Sequence, residues 1–144
     1  MSSVMNWLPQ TTNRAVRVFA WASLVSQVLI IGTGGAVRLT GSGLGCPTWP
    51  RCTEDSFVST PEMGFHGIIE FGNRLLTFVL AIIAVVMVVL LIRLRRERPE
   101  LFRLSVVLGL GIPGQAVIGG ITVLTDLNPW VVGLHYVLSL VLVA

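Results

Sequence analysis

The chain has 144 residues, of which 53% are hydrophobic and only 12% are charged. A typical soluble domain carries about 25% charged residues, so this composition argues against a soluble enzyme, a disordered tail and a small secreted disulfide protein. The net charge is +3, and all ten basic residues are arginine. This composition instead indicates a small helical membrane protein, or part of a larger one.

Four stretches without charge occupy positions 18–37, 75–92, 104–125 and 127–144. A membrane-spanning helix needs about 20 apolar residues, so each stretch is long enough to cross a bilayer. The pattern predicts an all-α integral membrane four-helix bundle, in a single domain 1–144. Its helices are expected at about 15–37, 67–92, 103–125 and 129–144, with an outer loop at 38–66. Asn128 and Pro129 are typical of an N-cap and a first-turn proline opening the fourth helix.

The arginines are clustered beside the apolar stretches rather than spread over the chain. Five of them lie in one short connection and two precede the first stretch: Arg93, Arg95, Arg96, Arg98, Arg103, Arg14 and Arg17. The positive-inside rule predicts that these segments are cytoplasmic, which puts the N-terminus inside and the 38–66 loop outside. This arrangement explains the basic charge without nucleic acid as a partner.

Two further features concern the organisation of the chain. The fourth stretch stops at Ala144 without a polar flank, which favours a truncated part of a longer protein over a natural terminus. Residues 34–40 and 119–125 are identical at four of seven positions, at the outer ends of helices 1 and 3. This echo indicates either a hairpin duplication or the general frequency of Gly and Thr at membrane helix ends.

The only two cysteines, Cys46 and Cys52, lie in the predicted outer loop. Outside the cytoplasmic membrane an even number of thiols favours one structural disulfide. Zinc is a poor alternative, because two thiolates lack a nearby His or Cys pair. Thiol-redox catalysis is the other alternative, although the C-x5-C spacing and the lack of a second pair disfavour it.

Polar residues inside a membrane span are costly and are functional candidates by default. His66, Glu70, Asn73 and Arg74 follow spacings that share one face of helix 2, and His135 lies in helix 4. At 1.5 Å per residue, Asn73 lies about 10 Å deep, His135 about 9 Å, Glu70 about 6 Å, and His66 at the surface. Structural roles are open to each of them: an i,i+4 ion pair for Glu70 with Arg74, hydrogen bonds between helices for Asn73 and His135, and an interfacial position for His66.

A functional interpretation joins these residues into a haem site. Histidine is the commonest axial ligand of haem iron, and the space between bundle helices is a usual cofactor site. His135 would be the iron ligand, and Arg38 or Arg74 would neutralise the haem propionates. Glu70 would accept protons during substrate oxidation or stabilise developing positive charge.

Three segments resemble the haem A synthase family of cytochrome oxidase assembly. Residues 34–52, GGAVRLTGSGLGCPTWPRC, are similar to the family's first outer loop; residues 70–74, EFGNR, to its helix 2 motif; and residues 115–125 with His135 to its helix 3 and 4 signature. The resemblance implies two four-helix bundles in tandem, of which this chain is the N-terminal, substrate-binding half. It implies oxidation of a ring methyl of haem O to the formyl group of haem A. Cys46 and Cys52 match the family's loop pair, Glu70 its essential carboxylate, and His135 its helix 4 histidine.

One position departs from the family pattern. The family has His three residues after the Glu, where this chain has Asn73. We therefore expect His135 alone to hold the substrate iron, with Asn73 hydrogen-bonded to a water in the sixth position. His66 is the alternative ligand, but it lies about two turns higher on helix 2.

The resemblance also implies components outside these residues. The permanent haem B, with its two histidines, is expected in the absent C-terminal half, so this chain alone is expected to be inactive. Expected partners are haem O and haem A, the C-terminal half, membrane lipid, and the haem O synthase and cytochrome oxidase of a bacterial cytoplasmic membrane. The alternative functions are a haem-binding or assembly module without catalysis and a thiol-redox membrane protein.

Overall fold

The computed structural model describes residues 11–144 as four α-helices joined by short turns and one long loop. The helices are α1 (Arg14–Leu39), α2 (Gly64–Leu91), α3 (Pro99–Leu124) and α4 (Pro129–Val143). Short 3-10 turns, Pro61–Met63 and Ile92–Arg95, precede and follow α2. Residues 11–144 contain no strand, which confirms the predicted all-α class.

The helix starts differ from the limits of the uncharged stretches, and those of α1, α3 and α4 carry a local signal. Helices α2 and α3 begin three and four residues before their expected starts at 67 and 103. Pro99 occupies the first turn of α3, where its missing N–H costs nothing. Asn128 caps α4 by accepting a hydrogen bond from the Trp130 N–H at 3.0 Å, as expected from the sequence.

The four helices form a closed ring. Helix α1 packs on α2, α2 on α3, α3 on α4, and α4 returns to α1. Within the described chain, α1 makes no contact with α3 and α2 makes none with α4. These two pairs are therefore diagonal across the bundle axis, and consecutive helices run up and down. The predicted four-helix bundle is confirmed.

The two ends of the bundle are built differently. We call the end that carries loop 40–60 and turn 125–128 the loop end, and the opposite end the arginine end. Val16, Leu90, Leu91 and Leu94 form a buried apolar cluster at the arginine end. At the loop end the most buried residues are instead Ser42 and the two cysteines, each with no exposed surface.

Most of the apolar surface faces outward. Phe78 is 67% exposed, Ile82 64% and Leu110 69%, although all three lie in the middle of helices. Helices α1, α2 with its flanking turns, and α3 are long and apolar enough to cross a membrane, whereas α4 is shorter. An apolar exterior around a sparsely buried interior is what a bundle in lipid requires, since lipid replaces water around it.

The sequence echo corresponds to a repeated backbone structure. The Ser42 N–H bonds the Val37 carbonyl at 2.9 Å, and the Leu127 N–H bonds the Thr122 carbonyl at 2.8 Å. These six-to-one bonds end α1 and α3 in Schellman motifs. The second pair lies 85 positions after the first, which is the offset between the two similar segments. The echo is therefore structural, because both helices end in the same motif.

Candidate functional site

The disulfide loop is the feature around which the loop end is built. Cys46 and Cys52 are bonded to each other, with Cα atoms 4.4 Å apart, and both are fully buried. Thiol-disulfide exchange requires a thiolate to reach one of the sulfurs. The burial of both sulfurs therefore favours a structural disulfide over the thiol-redox alternative.

Glu70 and Arg74 hold this loop from α2. One Glu70 carboxylate oxygen accepts the Cys46 N–H at 2.7 Å, and the other pairs with the Arg74 guanidinium at 2.5 Å. The same guanidinium donates to the carbonyls of Cys46, Thr48 and Arg51 at 3.0–3.1 Å. The i,i+4 ion pair considered from the sequence is therefore present. The pair binds both the N–H and the carbonyl of Cys46. Glu70 is only 5% exposed.

Two glycines let the loop approach the helices closely. A Cβ on Gly45 would collide with the backbone of His66, and a Cβ on Gly120 would collide with the Trp49 indole. The loop is thus seated on the start of α2 and on the end of α3 at the same time. Neither contact could be made by a larger residue without displacement of the loop.

His66 lies at the edge of this loop rather than inside the bundle. Its Nδ1 is 2.8 Å from the Ser42 hydroxyl, and Ser42 is in turn 2.7 Å from the Thr40 hydroxyl. The imidazole is exposed. This position two residues into α2 does not bring His66 near the depth of His135, so it gives no support to His66 as an iron ligand.

Asn73 is tied to a residue that the sequence analysis did not single out. The Thr33 hydroxyl is 2.7 Å from Asn73 Oδ1, and this contact crosses from α1 to α2. At 1.5 Å per residue Asn73 lies about 14 Å from the start of α2. The Thr33–Asn73 pair fixes the amide in orientation, which leaves the second polar group of the amide free for another partner.

His135 lies in α4 and packs against α3. Its Nδ1 is buried and has no hydrogen-bond partner within the described chain. The imidazole packs against Gly119 of α3, where a Cβ would meet Cε1 at 3.4 Å. A buried polar group without a partner costs about 1–3 kcal/mol, so an imidazole held this way is suited to an external ligand. A histidine that binds haem iron through Nε2 would keep the Nδ1 proton for such a partner, so His135 is compatible with an axial ligand.

One turn deeper, Ser139 of α4 donates to the His135 carbonyl at 2.9 Å and lies 3.3 Å from Gln115 Oε1 of α3. Both His135 and Glu70 are the seventh residues of their helices, and so lie about 9 Å from the loop end. Because α2 and α4 are diagonal, the two residues belong to helices on opposite sides of the bundle. Asn73 lies one turn deeper than Glu70 on the same helix.

The remaining candidates are more exposed. Arg38 lies in the last turn of α1, and its side chain makes no hydrogen bond or ion pair with the described residues. Residues 11–144 hold no group of three or more His, Cys, Asp or Glu side chains that could bind a bare metal ion. Haem iron needs fewer protein ligands, so a single histidine is compatible with this finding.

Comparison with known proteins identifies relatives along nearly the whole chain. Residues 17–144 match the family described as cytochrome oxidase assembly protein, COX15-CtaA. The chain is 34% identical over 132 residues to a Heme A synthase of Lysinibacillus sphaericus (strain C3-41), covering 90% of this chain and 42% of the relative. It is 29% identical over 116 residues to a Heme A synthase of Geobacillus thermodenitrificans, covering 81% of this chain and 36% of the relative.

The chain therefore spans less than half the length of the curated relatives it matches. No solved structure matches it.

Proposed function

The chain belongs to the COX15-CtaA family of cytochrome oxidase assembly proteins, and we propose that it forms the haem O-binding half of a haem A synthase. The observation that carries this proposal is the buried Nδ1 of His135, which has no hydrogen-bond partner among the described residues of a bundle that belongs to this family. Domain 1–144 is then one of two four-helix units, and haem B belongs to the other. None of the residues described here is assigned to haem B.

His135 binds the substrate iron from α4 as its single protein ligand. Asn73 stands on the diagonal helix α2, where an amide is too weak a ligand to complete the coordination. Its orientation by Thr33 supports a hydrogen bond to a water in the sixth position instead. Three glycines near the loop end of α1 have open space where a Cβ would be, which leaves room for the porphyrin ring. They are Gly32, Gly34 and Gly35.

The reaction converts a ring methyl to a formyl group in two oxidations. The first inserts a hydroxyl, and the second gives a geminal diol that loses water. Written with water as the oxygen source, the conversion releases four electrons and four protons from the methyl group and water together, and one oxygen atom is retained. The electrons pass to an acceptor outside this chain.

Glu70 acts on this reaction through its negative charge. Both carboxylate oxygens already accept hydrogen bonds, one from Cys46 and one from Arg74. Proton abstraction would break one of these bonds, so we favour a role in which the carboxylate, its charge offset in part by Arg74, stabilises positive charge on the substrate. The disulfide loop then serves to hold the carboxylate in place beside the substrate.

We assign the protein to a bacterial cytoplasmic membrane as a multi-pass protein with its N-terminus inside. The loop end faces outward, where a disulfide can form. Haem O synthase would supply the substrate and cytochrome oxidase would receive haem A. Arginines at the opposite end support this orientation.

Haem O titration of the full chain in detergent tests the proposal. Bound haem O should give a histidine-ligated spectrum, and His135→Ala should abolish it. His66→Ala is the matched control and should retain the iron spectrum. If the His135→Ala protein binds haem O with an unchanged spectrum, the proposed iron site is wrong.

A further inference from the structure

The Trp49 indole reaches from the disulfide loop into the bundle. A Cβ at Gly120 would collide with the indole ring, so the ring lies directly on the backbone of α3. Gly120 is four residues from the end of α3 at Leu124, which places this contact about 6 Å below the loop end. A loop side chain therefore lies about one helical turn inside the bundle, close to the depth of His135.

The contacts of α3 show which of its sides holds the indole. A Cβ at Gly109 would contact side chains of α2 at 3.9 Å, and Gly120 follows eleven residues later, close to three full turns, on the same side. Gly119 instead contacts His135 of α4. The sector of about 100° between Gly119 and Gly120 contains Val123, which is 7% exposed, so this sector faces the bundle interior. The indole and the imidazole therefore lie on either side of the interior-facing edge of α3.

Arg74 fixes the backbone on both sides of Trp49. Its guanidinium donates to the Thr48 carbonyl before Trp49 and to the Arg51 carbonyl after it, at 3.1 Å in each case. The Thr48 hydroxyl also donates to the Arg51 carbonyl at 2.9 Å, which closes the turn 48–51. The turn thus holds a large aromatic side chain in a fixed place beside the proposed iron ligand.

The surroundings of Trp49 leave it able to contact a flat ligand. Trp49 is only partly buried, and the glycines at 119 and 120 put no side chain of their own between the indole and His135. Aromatic rings attract each other in offset-stacked or edge-to-face arrangements, and an indole offers a large apolar surface for such contacts. A tetrapyrrole is flat and aromatic, and its ring extends on all sides of the iron.

We propose that the Trp49 indole forms the wall of the substrate site beside α3, and that the tetrapyrrole of the substrate packs against it. This inference rests on the proposed haem O-binding function. It gives Arg74 a second role, because the turn that Arg74 holds is the one that carries the indole.

Nuclear magnetic resonance of the indole N–H groups tests this contact directly. The full chain in detergent carries isotope-labelled tryptophan and is titrated with ferrous haem O in its diamagnetic carbonyl form. The ring current of a tetrapyrrole acts only at short range, so the Trp49 resonance should shift on binding. Trp21 lies about 27 Å from the loop end on α1 and should not shift. Loss of one resonance in Trp49→Phe assigns it.

Affinity gives an independent measurement. Trp49→Ala should weaken the binding of haem O about tenfold, as expected for the loss of one aromatic contact, and Trp49→Phe should restore most of the affinity. Trp130→Ala is the matched control, since this tryptophan is also at the loop end but is 87% exposed, and its removal should leave the affinity unchanged.

The outcomes separate the wall from the haem function. An unshifted Trp49 resonance in a chain that binds haem O through His135 overturns the wall, whatever Trp49→Ala does to the affinity. Unchanged affinity in Trp49→Ala overturns it as well. A chain that binds no haem O, or whose haem O spectrum is unchanged in His135→Ala, overturns the proposed haem function itself.

Discussion

Replacement of Arg74 by Ala tests how the loop end is held together. The change leaves the Glu70 carboxylate buried without its cation, and it removes the donor from three loop carbonyls. The side chains of Arg74 and Glu70 are 19% and 7% exposed, so solvent screens the pair only weakly. Breaking a buried ion pair by removal of one partner costs about 3–5 kcal/mol.

Hydrogen exchange of the Cys46 amide measures this cost, because Glu70 is its acceptor. At about 1.4 kcal/mol per factor of ten, the opening of the loop should become roughly 100-fold to a few thousand-fold more frequent. The double variant Glu70→Gln/Arg74→Met should lose much less protection. It keeps an acceptor for the Cys46 N–H and removes both charges together.

Arg98→Ala is the control. Arg98 and Glu100 form a second Arg–Glu pair at 2.7 Å, but their side chains are 54% and 59% exposed. Exposed pairs contribute little to stability, so this variant should leave exchange at the loop end unchanged. Unchanged protection of the Cys46 amide in Arg74→Ala would refute the proposal that the Glu70–Arg74 pair holds the loop. An equal effect of Arg98→Ala would refute it as well.

Two further predictions concern the bundle interior. Gly120→Ala should destabilise the chain by about 1–3 kcal/mol in thermal unfolding, because the added Cβ collides with Trp49. Gly114→Ala is the control, since its Cβ meets open space and should not destabilise the chain. Equal effects of the two variants would contradict the contact between the loop and α3. Asn73→His should convert bound haem O from a high-spin to a low-spin spectrum by adding a second axial imidazole from the diagonal helix. A spectrum that stays high-spin would show that residue 73 does not lie close to the iron on the side opposite His135.

The sequence predicted the parts of this fold that depend on apolar length and on short-range capping. Four uncharged stretches predicted four helices, and the Asn128 cap and the Cys46–Cys52 pair are present. Helix starts were less accurate, because the membrane-length argument counts uncharged residues and ignores polar first turns. Pro99 carried a signal for the start of α3 that charge alone obscured.

The candidate site was predicted less completely, because its contacts join residues far apart in the chain. The i,i+4 spacing of Glu70 and Arg74 predicted their ion pair, but not that the pair binds the backbone of Cys46 24 residues earlier. Thr33, as the partner of Asn73, carried no local signal, since a threonine in a membrane helix usually bonds its own backbone. Ser42 also carried no local signal, because its partner His66 lies 24 residues later in the chain.

The spacing of Glu70 and Arg74 also bears on how α2 enters the bilayer during synthesis. A lone charge within a helix is costly to insert, but two opposite charges one turn apart neutralise each other on the same segment. Helix α2 therefore carries its own counter-ion before the loop has folded or the cysteines have joined. The carbonyls and the amide of the loop replace water around this pair only later, so insertion of the helix does not depend on prior oxidation outside.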